Sequence, residues 1–413
     1  MKKIFAISAP VDSHSGYGAK SRDIVNAIIA LDIYDVKIIN QCWGSTPSGY
    51  LNEDHEEIKK RLVKNLQEKP DIWAQITIPS EFQRVGNYNI LFTSGIETDL
   101  APSDFIEGCN RADLVIVPSQ FTKDTLMNTA FERREQGSNK PVGKIQIETN
   151  IEVLMEGLDT TRYFNTSTSD FELLDNINEK FCFLYTSHWL NGELGEDRKD
   201  ASGLVKTFLE TFKNIPNKPA LIMKTSAAAY SIMDRDLIVS RIEAIKKLVT
   251  GDLPKIYLIH GSLTEDEVNA LNNHSKVKAF VSFTKGEGWG RCLLEQSVCQ
   301  KPMIVSKWSG HLDFLKIDIN PLLEGTIKPV HSSVINNMIV AESKWFTVDY
   351  NAAGKKMLDV FKNYPKYVEG AKKQSYISRM NFNLGVMRNK LEGILVDNIK
   401  LPAEFVMPKL IKI

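Results

Sequence analysis

Two glutamates and three glycines in one short stretch are the residues of this chain best suited to chemistry. Glu287 and Glu295 are eight positions apart, and Glu287 lies within the glycine-rich loop GEGWG (286–290). Glycines let a backbone approach a ligand closely, and a helix that begins after them offers unpaired N–H groups and a positive dipole end to an anion. Carboxylates accept hydrogen bonds from hydroxyl groups. The stretch therefore predicts a ligand that carries both hydroxyls and phosphate.

The elements around this loop must present it at the edge of a sheet. The apolar run 277–283 predicts a buried strand, the apolar spacing in 291–299 predicts a helix, and MIV (303–305) predicts the next strand. In an open α/β sheet, the loops that follow the strands lie at the carboxyl edge, where ligands bind. A helix that begins near Gly290 directs Glu295 back toward the loop.

The segments EGWG (287–290), LE (294–295) and KPMI (301–304) resemble the E-x7-E signature of glycosyltransferase family 4, whose members are retaining enzymes with the GT-B fold. The resemblance implies that Glu287 holds sugar hydroxyls of a nucleotide-sugar donor and that Glu295 holds the ribose. It also implies that backbone N–H groups between them meet the sugar and phosphates, which makes Gly288, Trp289, Gly290 and Arg291 donor-binding residues. A Rossmann-type loop with carboxylates on its surface is the alternative interpretation.

Length and composition set limits on the class of protein. The 413 residues suit two α/β domains, and 43% hydrophobic with 25% charged residues is typical of a globular protein. Lys plus Arg equals Asp plus Glu at 51 each, which argues against a large electrostatic surface for nucleic acid or anionic membrane. The sequence contains no run of 18 apolar residues, so it predicts no membrane span. The five cysteines have no C-x-x-C spacing, which predicts a reducing cytoplasm and no structural zinc.

We therefore expect an α/β protein of GT-B architecture, with two Rossmann-like domains facing each other across a cleft. The expected boundaries are an acceptor-side domain at 1–164, a polar linker at 165–180, a donor domain at 181–385 and a C-terminal segment at 386–413 that crosses back to the first domain. The charged segment 51–67 predicts an exposed helix, and the polar, basic segment 131–143 predicts a solvated loop.

The first domain supplies a second glycine loop and a third carboxylate. The loop PVDSHSGYG (10–18), with Gly16 and Gly18, follows a predicted strand at 3–9 and precedes a predicted helix at 19–31, and it resembles a family turn that faces the cleft. A tight turn without a ligand is the alternative. Glu97 follows a strand in IETDLAP (96–102), which resembles a segment bordering the acceptor pocket, so we count it among the catalytic residues. A helix cap or an ion pair is the other interpretation of Glu97.

The second domain supplies the cations. Arg198 and Lys199 precede a predicted helix at 201–212, and the resemblance implies that they hold the donor diphosphate. An exposed charge pair is the alternative, because the family arginine usually follows the strand directly, where this chain has histidine and tryptophan. Lys224 ends another predicted strand at the cleft. In relatives of this family the corresponding turn borders the nucleotide base, and in this chain that turn runs from His260 to Leu263. The alternative is that His260 is a structural histidine at the end of a strand.

The mechanism implied by the resemblance is transfer with retention of anomeric configuration by front-face attack, in which the departing phosphate helps to take the acceptor proton. The chain has no Asp-x-Asp between strands and no His/Cys set, so we expect no metal and no cofactor beyond the nucleoside-diphosphate sugar. The acceptor is a glycan, a lipid or a protein, and the zero net charge makes a modified DNA base less favoured. A nucleotide-sugar epimerase and a non-catalytic carbohydrate-binding scaffold of the same fold are the alternative functions.

Overall fold

The protein is described by a computed structural model that covers residues 2–44, 46–134, 140–167, 171–227 and 230–399. Two parallel sheets, each flanked by helices, dominate these residues. The expectation of two Rossmann-like α/β domains is therefore confirmed.

The first sheet contains six parallel strands in the order β2-β1-β3-β4-β5-β8. Its core strands have continuous apolar sequences because helices cover both faces of a parallel sheet. In β1, for example, Phe5 to Ala9 are buried. The strands are β1 (Lys3–Ala9), β2 (Tyr34–Asn40), β3 (Ile72–Ile76), β4 (Tyr88–Phe92), β5 (Leu114–Val117) and β8 (Ile151–Val153). The helices of this domain are α1 (Gly16–Ala30), α2 (Glu56–Lys59), α3 (Ser103–Asn110) and α4 (Gln120–Asn128).

The predicted helix at 51–67 is wrong. A 3-10 turn at Glu53–His55 and the four-residue α2 replace it, and Ile58 is the one buried residue of these two elements. A long helix needs an apolar face to pack against the domain, and this segment does not have one. The chain instead runs beside β2, with a bridge between Ile38 and Leu62.

The predicted loop at 131–143 is also wrong at both of its described ends. An antiparallel hairpin forms there from β6 (Ala130–Arg134) and β7 (Pro141–Gln146), while 135–139 lies outside the described residues. Phe131 pairs with Ile145, and both pack against the apolar cluster of the first domain. This cross-strand pair outweighs the polar composition of the segment.

The second sheet contains five parallel strands in the order β11-β10-β9-β12-β13. They are β9 (Cys182–Thr186), β10 (Ala220–Lys224), β11 (Ile256–Ile259), β12 (Val277–Ser282) and β13 (Met303–Val305). Helices α5 (Ala201–Phe212), α6 (Ile232–Lys246), α7 (Glu265–Asn273) and α8 (Arg291–Ser297) connect them, and a hairpin of β14 (Gly325–Pro329) and β15 (Lys344–Val348) leads into α9 (Tyr350–Lys362).

Two further helices, α10 (Tyr364–Asn381) and α11 (Leu384–Asn398), end the described chain. Helix α11 packs against α1, and Met387, Leu391 and Leu395 are buried in a core shared with the first domain. The chain thus returns to the first domain, and residues 400–413 of the expected crossing segment lie outside the described residues. None of the helices described is both long and apolar enough to span a membrane.

Candidate functional site

The carboxyl ends of the two sheets meet, and the loop between β12 and α8 lies where they touch. The Ser119 hydroxyl, just after β5, donates a 2.6 Å hydrogen bond to the carbonyl oxygen of Gly288. The backbone N–H of Gln120, which begins α4, donates to Asp313 of the second domain at 2.9 Å. Both contacts join strand ends of one domain to loops of the other, so the predicted glycine loop borders both domains.

Close approach of the two backbones accounts for two of the loop glycines. A Cβ atom on Gly286 would lie 1.9 Å from the carbonyl oxygen of Glu97, and a Cβ on Gly288 would lie 2.2 Å from that of Ser94. Any side chain here would push the domains apart. The sequence predicted close approach to a ligand, whereas the neighbour of these two positions is the loop after β4 of the first domain.

Glu287 lies against two cations. Lys199 Nζ pairs with Glu287 Oε1, which also accepts a 2.7 Å hydrogen bond from Thr284, and Arg198 Nη1 is 3.7 Å from Glu287 Oε2. Burial alone would raise the pKa of this carboxyl, but Lys199 and Arg198 outweigh it and lower the pKa to about 2. Glu287 is therefore ionised throughout the neutral range.

Glu97 brings the first domain into the same charge cluster. Arg198 Nε is 2.8 Å from Glu97 Oε2, and Arg198 Nη1 donates to the Gly286 carbonyl at 3.0 Å. Burial raises the pKa of Glu97 above its usual value, although Arg198 and Lys199 oppose that shift. The cluster holds two cations and two carboxylates, so an incoming diphosphate would compete with Glu97 and Glu287 for the same two cations.

The sequence around Arg198 and Lys199 fixes their position. Asp200 adopts a left-handed conformation (φ 47°) immediately before α5, and the N–H of Lys285 donates to the Arg198 carbonyl at 2.8 Å. Asp197 accepts a hydrogen bond from the Ala201 N–H at 3.3 Å at the start of α5. The basic loop is thus anchored both to its own helix and to the loop that carries Glu287.

Arg291 joins a second cluster, which contains Glu295. Its Nη1 is 2.6 Å from Asp23 Oδ2 of α1 and 3.9 Å from Glu156 Oε2, and its Nε is 3.2 Å from Glu295 Oε1. Burial raises the pKa of Glu295 to about 7, although Arg291 opposes that shift. Two glutamates of one short stretch thus have pKa values on opposite sides of their usual value.

The glycines of the first domain differ from each other. Ser15 caps α1 by accepting a hydrogen bond from the Gly18 N–H at 3.0 Å, so Gly16 and Gly18 lie in the first turn of the helix and not in a loop before it. A Cβ on Gly18 would lie 2.2 Å from the Ser13 carbonyl oxygen, whereas a Cβ on Gly16 would have no protein atom within 4 Å. Gly18 allows close packing against the Ser13 backbone, whereas the space beside Gly16 at the start of the helix is open.

Lys224, His260 and Leu263 follow β10 and β11, on the side of the sheet away from β12. Lys224 Nζ is 3.3 Å from the Tyr230 hydroxyl, His260 Nε2 is 2.8 Å from Asp234 Oδ2, and Leu263 is half-buried against the core. Adjacent strands are about 4.8 Å apart, so β11 lies roughly 10 Å from β9 along the edge. These three residues therefore belong to the same sheet edge but not to the charge clusters.

The side chain of Trp289 does not line the space between the domains. It is 2% exposed, and its ring packs 5.1 Å from that of Phe314 and 5.9 Å from that of Phe382, measured between centroids. Its backbone still belongs to the glycine loop.

Ser309 and His311 are site residues that the sequence analysis did not select. The Glu287 N–H donates to Ser309 Oγ at 2.9 Å, and Ser309 has φ 80° and ψ −167°, a conformation that L residues rarely adopt. His311 is fully buried, with Nε2 2.7 Å from the Ser306 carbonyl oxygen, and its Nδ1 has no hydrogen-bond partner among the described residues. The signal for both was the segment SGH (309–311) in the loop that follows β13.

Asp23 and Glu156 were not foreseen either, because neither belongs to a local pattern of glycines and acids such as the one around Glu287. No set of three or more His, Cys, Asp and Glu residues that could hold a metal ion occurs among the residues described.

The sequence matches no protein-family model and no curated protein. Solved structures do match. Anabaena HepE in complex with UDP and glucose aligns with a TM-score of 0.63 at 12% identity, over 96% of this chain and 100% of that one. A sucrose-phosphate synthase from Thermosynechococcus elongatus gives 0.62 at 12% identity over 96% and 99%, and a glycosyltransferase from Rickettsia africae gives 0.63 at 13% over 96% and 98%. At such identities the likeness shows the fold, and the chain has the GT-B architecture of two Rossmann-like domains.

Proposed function

We propose that this protein is a glycosyltransferase of the family 4 type, which moves a sugar from a nucleoside-diphosphate sugar to an acceptor hydroxyl with retention of configuration. One observation carries the proposal: Arg198 and Lys199 meet Glu287 at the carboxyl edge of a GT-B cleft, and Arg291 pairs with Glu295 in the helix that follows the same glycine loop. HepE, one of the similar structures, was also crystallised with UDP-glucose, so that compound is the first donor to test.

In this proposal the donor lies along the edge of the second sheet. Lys199 and Arg198 bind the diphosphate in place of their carboxylate partners, and the N–H groups between Gly288 and Arg291 meet its oxygens. Glu287, ionised at neutral pH, orients the sugar through its hydroxyls. Glu295 accepts a hydrogen bond from the ribose, and the base extends toward β10 and β11, past Lys224 to the turn at His260 and Leu263.

Catalysis then rests on stabilising the leaving diphosphate. Fixed cations and N–H donors near Lys199 and Gly288 act as charge grows on the phosphate, without reorganising water. The anomeric carbon becomes oxocarbenium-like, and the departing phosphate helps to take the acceptor proton in a front-face attack. Glu97, displaced from Arg198 by the diphosphate, lies on the acceptor side. These residues supply the charge stabilisation, so the proposal requires neither a metal nor a cofactor.

The acceptor belongs to the first domain, residues 1–164, and the donor to residues 181–385. A glycan, a lipid or a protein hydroxyl is the proposed acceptor class, with a modified DNA base as the less favoured case. The five free cysteines support a reducing compartment, and we propose the cytoplasm.

The test is turnover of UDP-glucose and other nucleoside-diphosphate sugars with a panel of acceptors, for wild type and Glu287→Ala. We expect sugar transfer by wild type, loss of at least about a hundredfold in the variant, and full activity in Glu342→Ala, an exposed glutamate outside the site. NMR of the product should show the anomeric configuration of the donor, and a chelator should leave the rate unchanged. Appearance of a new sugar isomer of the donor would indicate an epimerase, and no turnover in either protein would indicate a scaffold.

A further inference from the structure

A cavity lies in the second domain, next to the loop that carries Arg198 and Lys199. It has a volume of about 800 Å³ and lies between α5, α9 and the hairpin of β14 and β15. Small-molecule sites commonly have volumes of about 300–1,000 Å³. The cavity is therefore large enough for a metabolite.

Three lysines from three different elements line this cavity. Lys206 belongs to α5, Lys328 to β14 and Lys355 to α9. None of the three forms a salt bridge with any residue of the described ranges, although most cations near the cleft do so. Glu196 and Glu210 share the lining, and Glu210 pairs with Lys213, so Lys206, Lys328 and Lys355 remain as cations without an ion-pair partner among the described residues. Cations that share one concave surface favour an anion, and phosphate accepts hydrogen bonds from ammonium groups.

The remaining wall offers partners for hydroxyl groups and for an apolar face. Glu196, Thr207 and Thr211 present carboxylate and hydroxyl oxygens to the cavity, while the Tyr350 ring and Leu358 present apolar surface. Hydroxyl-bearing rings have this mixture of polar edges and apolar faces. The lining thus fits a phosphorylated compound with hydroxyls better than a bare inorganic anion.

A buried charge pair separates this cavity from the cleft. The Tyr350 hydroxyl, on the cavity floor, donates to Asp200 Oδ2 at 2.8 Å, and Lys285 Nζ is 3.4 Å from the same oxygen. Asp200 and Lys285 are both fully buried. Lys199 pairs with Glu287 on the other side of this pair. The cavity and the cleft are therefore distinct sites with one common wall.

We propose that this cavity is a second ligand site, which binds a small phosphorylated compound bearing hydroxyl groups. Lys206, Lys328 and Lys355 bind the phosphate, and Glu196 with the threonines accepts or donates hydrogen bonds to the hydroxyls. The site is separate from those of the donor and the acceptor, so this proposal does not depend on the proposed transfer reaction.

The experiment is calorimetric titration of the full chain with ribose 5-phosphate, glucose 6-phosphate and glycerol 3-phosphate, with inorganic phosphate as the comparison. We expect at least one organic phosphate to bind with a Kd below about 1 mM and more tightly than inorganic phosphate. The double variant Lys206→Glu with Lys355→Glu should weaken that Kd at least about tenfold, because it removes two charge-assisted contacts. Both lysines are exposed, so the variant keeps the fold, which circular dichroism checks.

Two control proteins make the result decisive. Lys362→Glu with Lys390→Glu changes the net charge equally at exposed positions outside the cavity and should bind like wild type. Lys199→Met alters the cleft alone and should also bind like wild type. Absence of binding by all three organic phosphates overturns the proposal. So does binding that is lost in Lys199→Met but kept in the cavity variant, or binding weakened equally by the control charge changes.

Discussion

At the scale of single residues, the site contains two glutamates with opposite titration behaviour. Glu287, between Lys199 and Arg198, has a pKa of about 2, and Glu295, buried beside Arg291, has a pKa of about 7. Carboxyls of one site whose environments separate their pKa values usually have different roles. In our proposal Glu287 is a permanent anion for sugar hydroxyls, whereas the charge of Glu295 depends on pH.

The raised pKa of Glu295 predicts a specific pH dependence of stability. The group titrates near 4.5 when unfolded and near 7 when folded, so folding disfavours its ionised form. Its effect is absent below pH 4.5, grows as the pH rises from 4.5 to 7, and is complete above pH 7, where it destabilises the fold by about 1–3 kcal/mol. Glu295→Gln should therefore reduce the loss of stability between pH 5 and pH 8, measured by urea unfolding. Identical pH profiles of the two proteins would contradict the assignment.

The same residue predicts how nucleotide binding changes with pH. The ionised carboxylate accepts a ribose hydroxyl more strongly than the protonated one, so UDP affinity should rise from pH 6 to pH 8, by up to about tenfold. The rise should be absent in Glu295→Gln. Calorimetric titration at both pH values measures it, and an affinity in wild type that falls with pH would refute the role.

Removal of Lys199 should cost both stability and binding. Lys199→Met leaves Glu287 buried without its closest cation, which we expect to lower the free energy of unfolding by about 1–3 kcal/mol and to weaken UDP binding at least about tenfold. Lys213→Met is the matched control, because Lys213 pairs with Glu210 near the surface, where such pairs contribute less than about 1 kcal/mol. Equal effects of the two substitutions would count against the charge cluster.

The residues that the sequence predicted and those that it missed differ in one physical respect. Glu287 and Glu295 belong to one local pattern of glycines and acids, so spacing alone indicated them. Asp23 and Glu156 reach Arg291 only because the two domains fold against each other. No local pattern marks a side chain whose partner is hundreds of residues away.

At the scale of elements, the parallel strands could be predicted well because their apolar runs are continuous. Strands β1 and β13 have the bounds that the sequence indicated. The structure of segment 51–67 and the β6–β7 hairpin could not be predicted, because composition alone does not indicate which apolar side chains pack against other residues. Ile58 is buried without a long helix, and Phe131 pairs with Ile145 across a hairpin.

The glycine loop supports a prediction with an internal control. Gly288→Ala would bring a Cβ within 2.2 Å of the Ser94 carbonyl oxygen, so the domains must shift, and we expect a loss of about 1–3 kcal/mol in stability together with a large loss of turnover. Gly393→Ala, in α11 with no atom within 4 Å of its Cβ, should be neutral or stabilising by up to about 1 kcal/mol. Thermal unfolding compares them, and a neutral Gly288→Ala would contradict the close contact.

Gly16 allows a related test of the first glycine loop. A Cβ there meets no protein atom, so Gly16→Ala should leave the unfolding temperature unchanged. If the start of α1 faces the donor in the cleft, as the resemblance to the family turn implies, the same methyl group should weaken UDP-sugar binding. Unchanged affinity in this variant would remove Gly16 from the donor site.

At the scale of the whole molecule, the two domains are joined by charged contacts along the cleft. Arg291 lies between α1 and α8 with Asp23, Glu156 and Glu295 around it. Arg198 joins Glu97 at the other end of the glycine loop. Because these contacts cross the cleft, ligand binding and the arrangement of the domains are expected to depend on each other.

Arg291 should therefore be the residue on which the domain arrangement depends most. Arg291→Met leaves buried Glu156 and Glu295 and partly buried Asp23 without their shared cation, and we expect it to lower the free energy of unfolding by about 3–5 kcal/mol. Arg235→Met, which removes an exposed pair with Asp236, should change it by less than about 1 kcal/mol. Urea unfolding of both variants measures the difference, and a tolerated loss of Arg291 would show that the cluster is not needed.

The central claim is that an activated sugar binds between the domains, with its diphosphate on Arg198 and Lys199. A crystal structure of the protein soaked with UDP-glucose tests this most directly. We predict that the diphosphate lies between those two cations and the glycine loop, with the ribose at Glu295 and glucose at Glu287. Density for UDP-glucose elsewhere on the molecule, with Lys199 still paired to Glu287, would contradict the account.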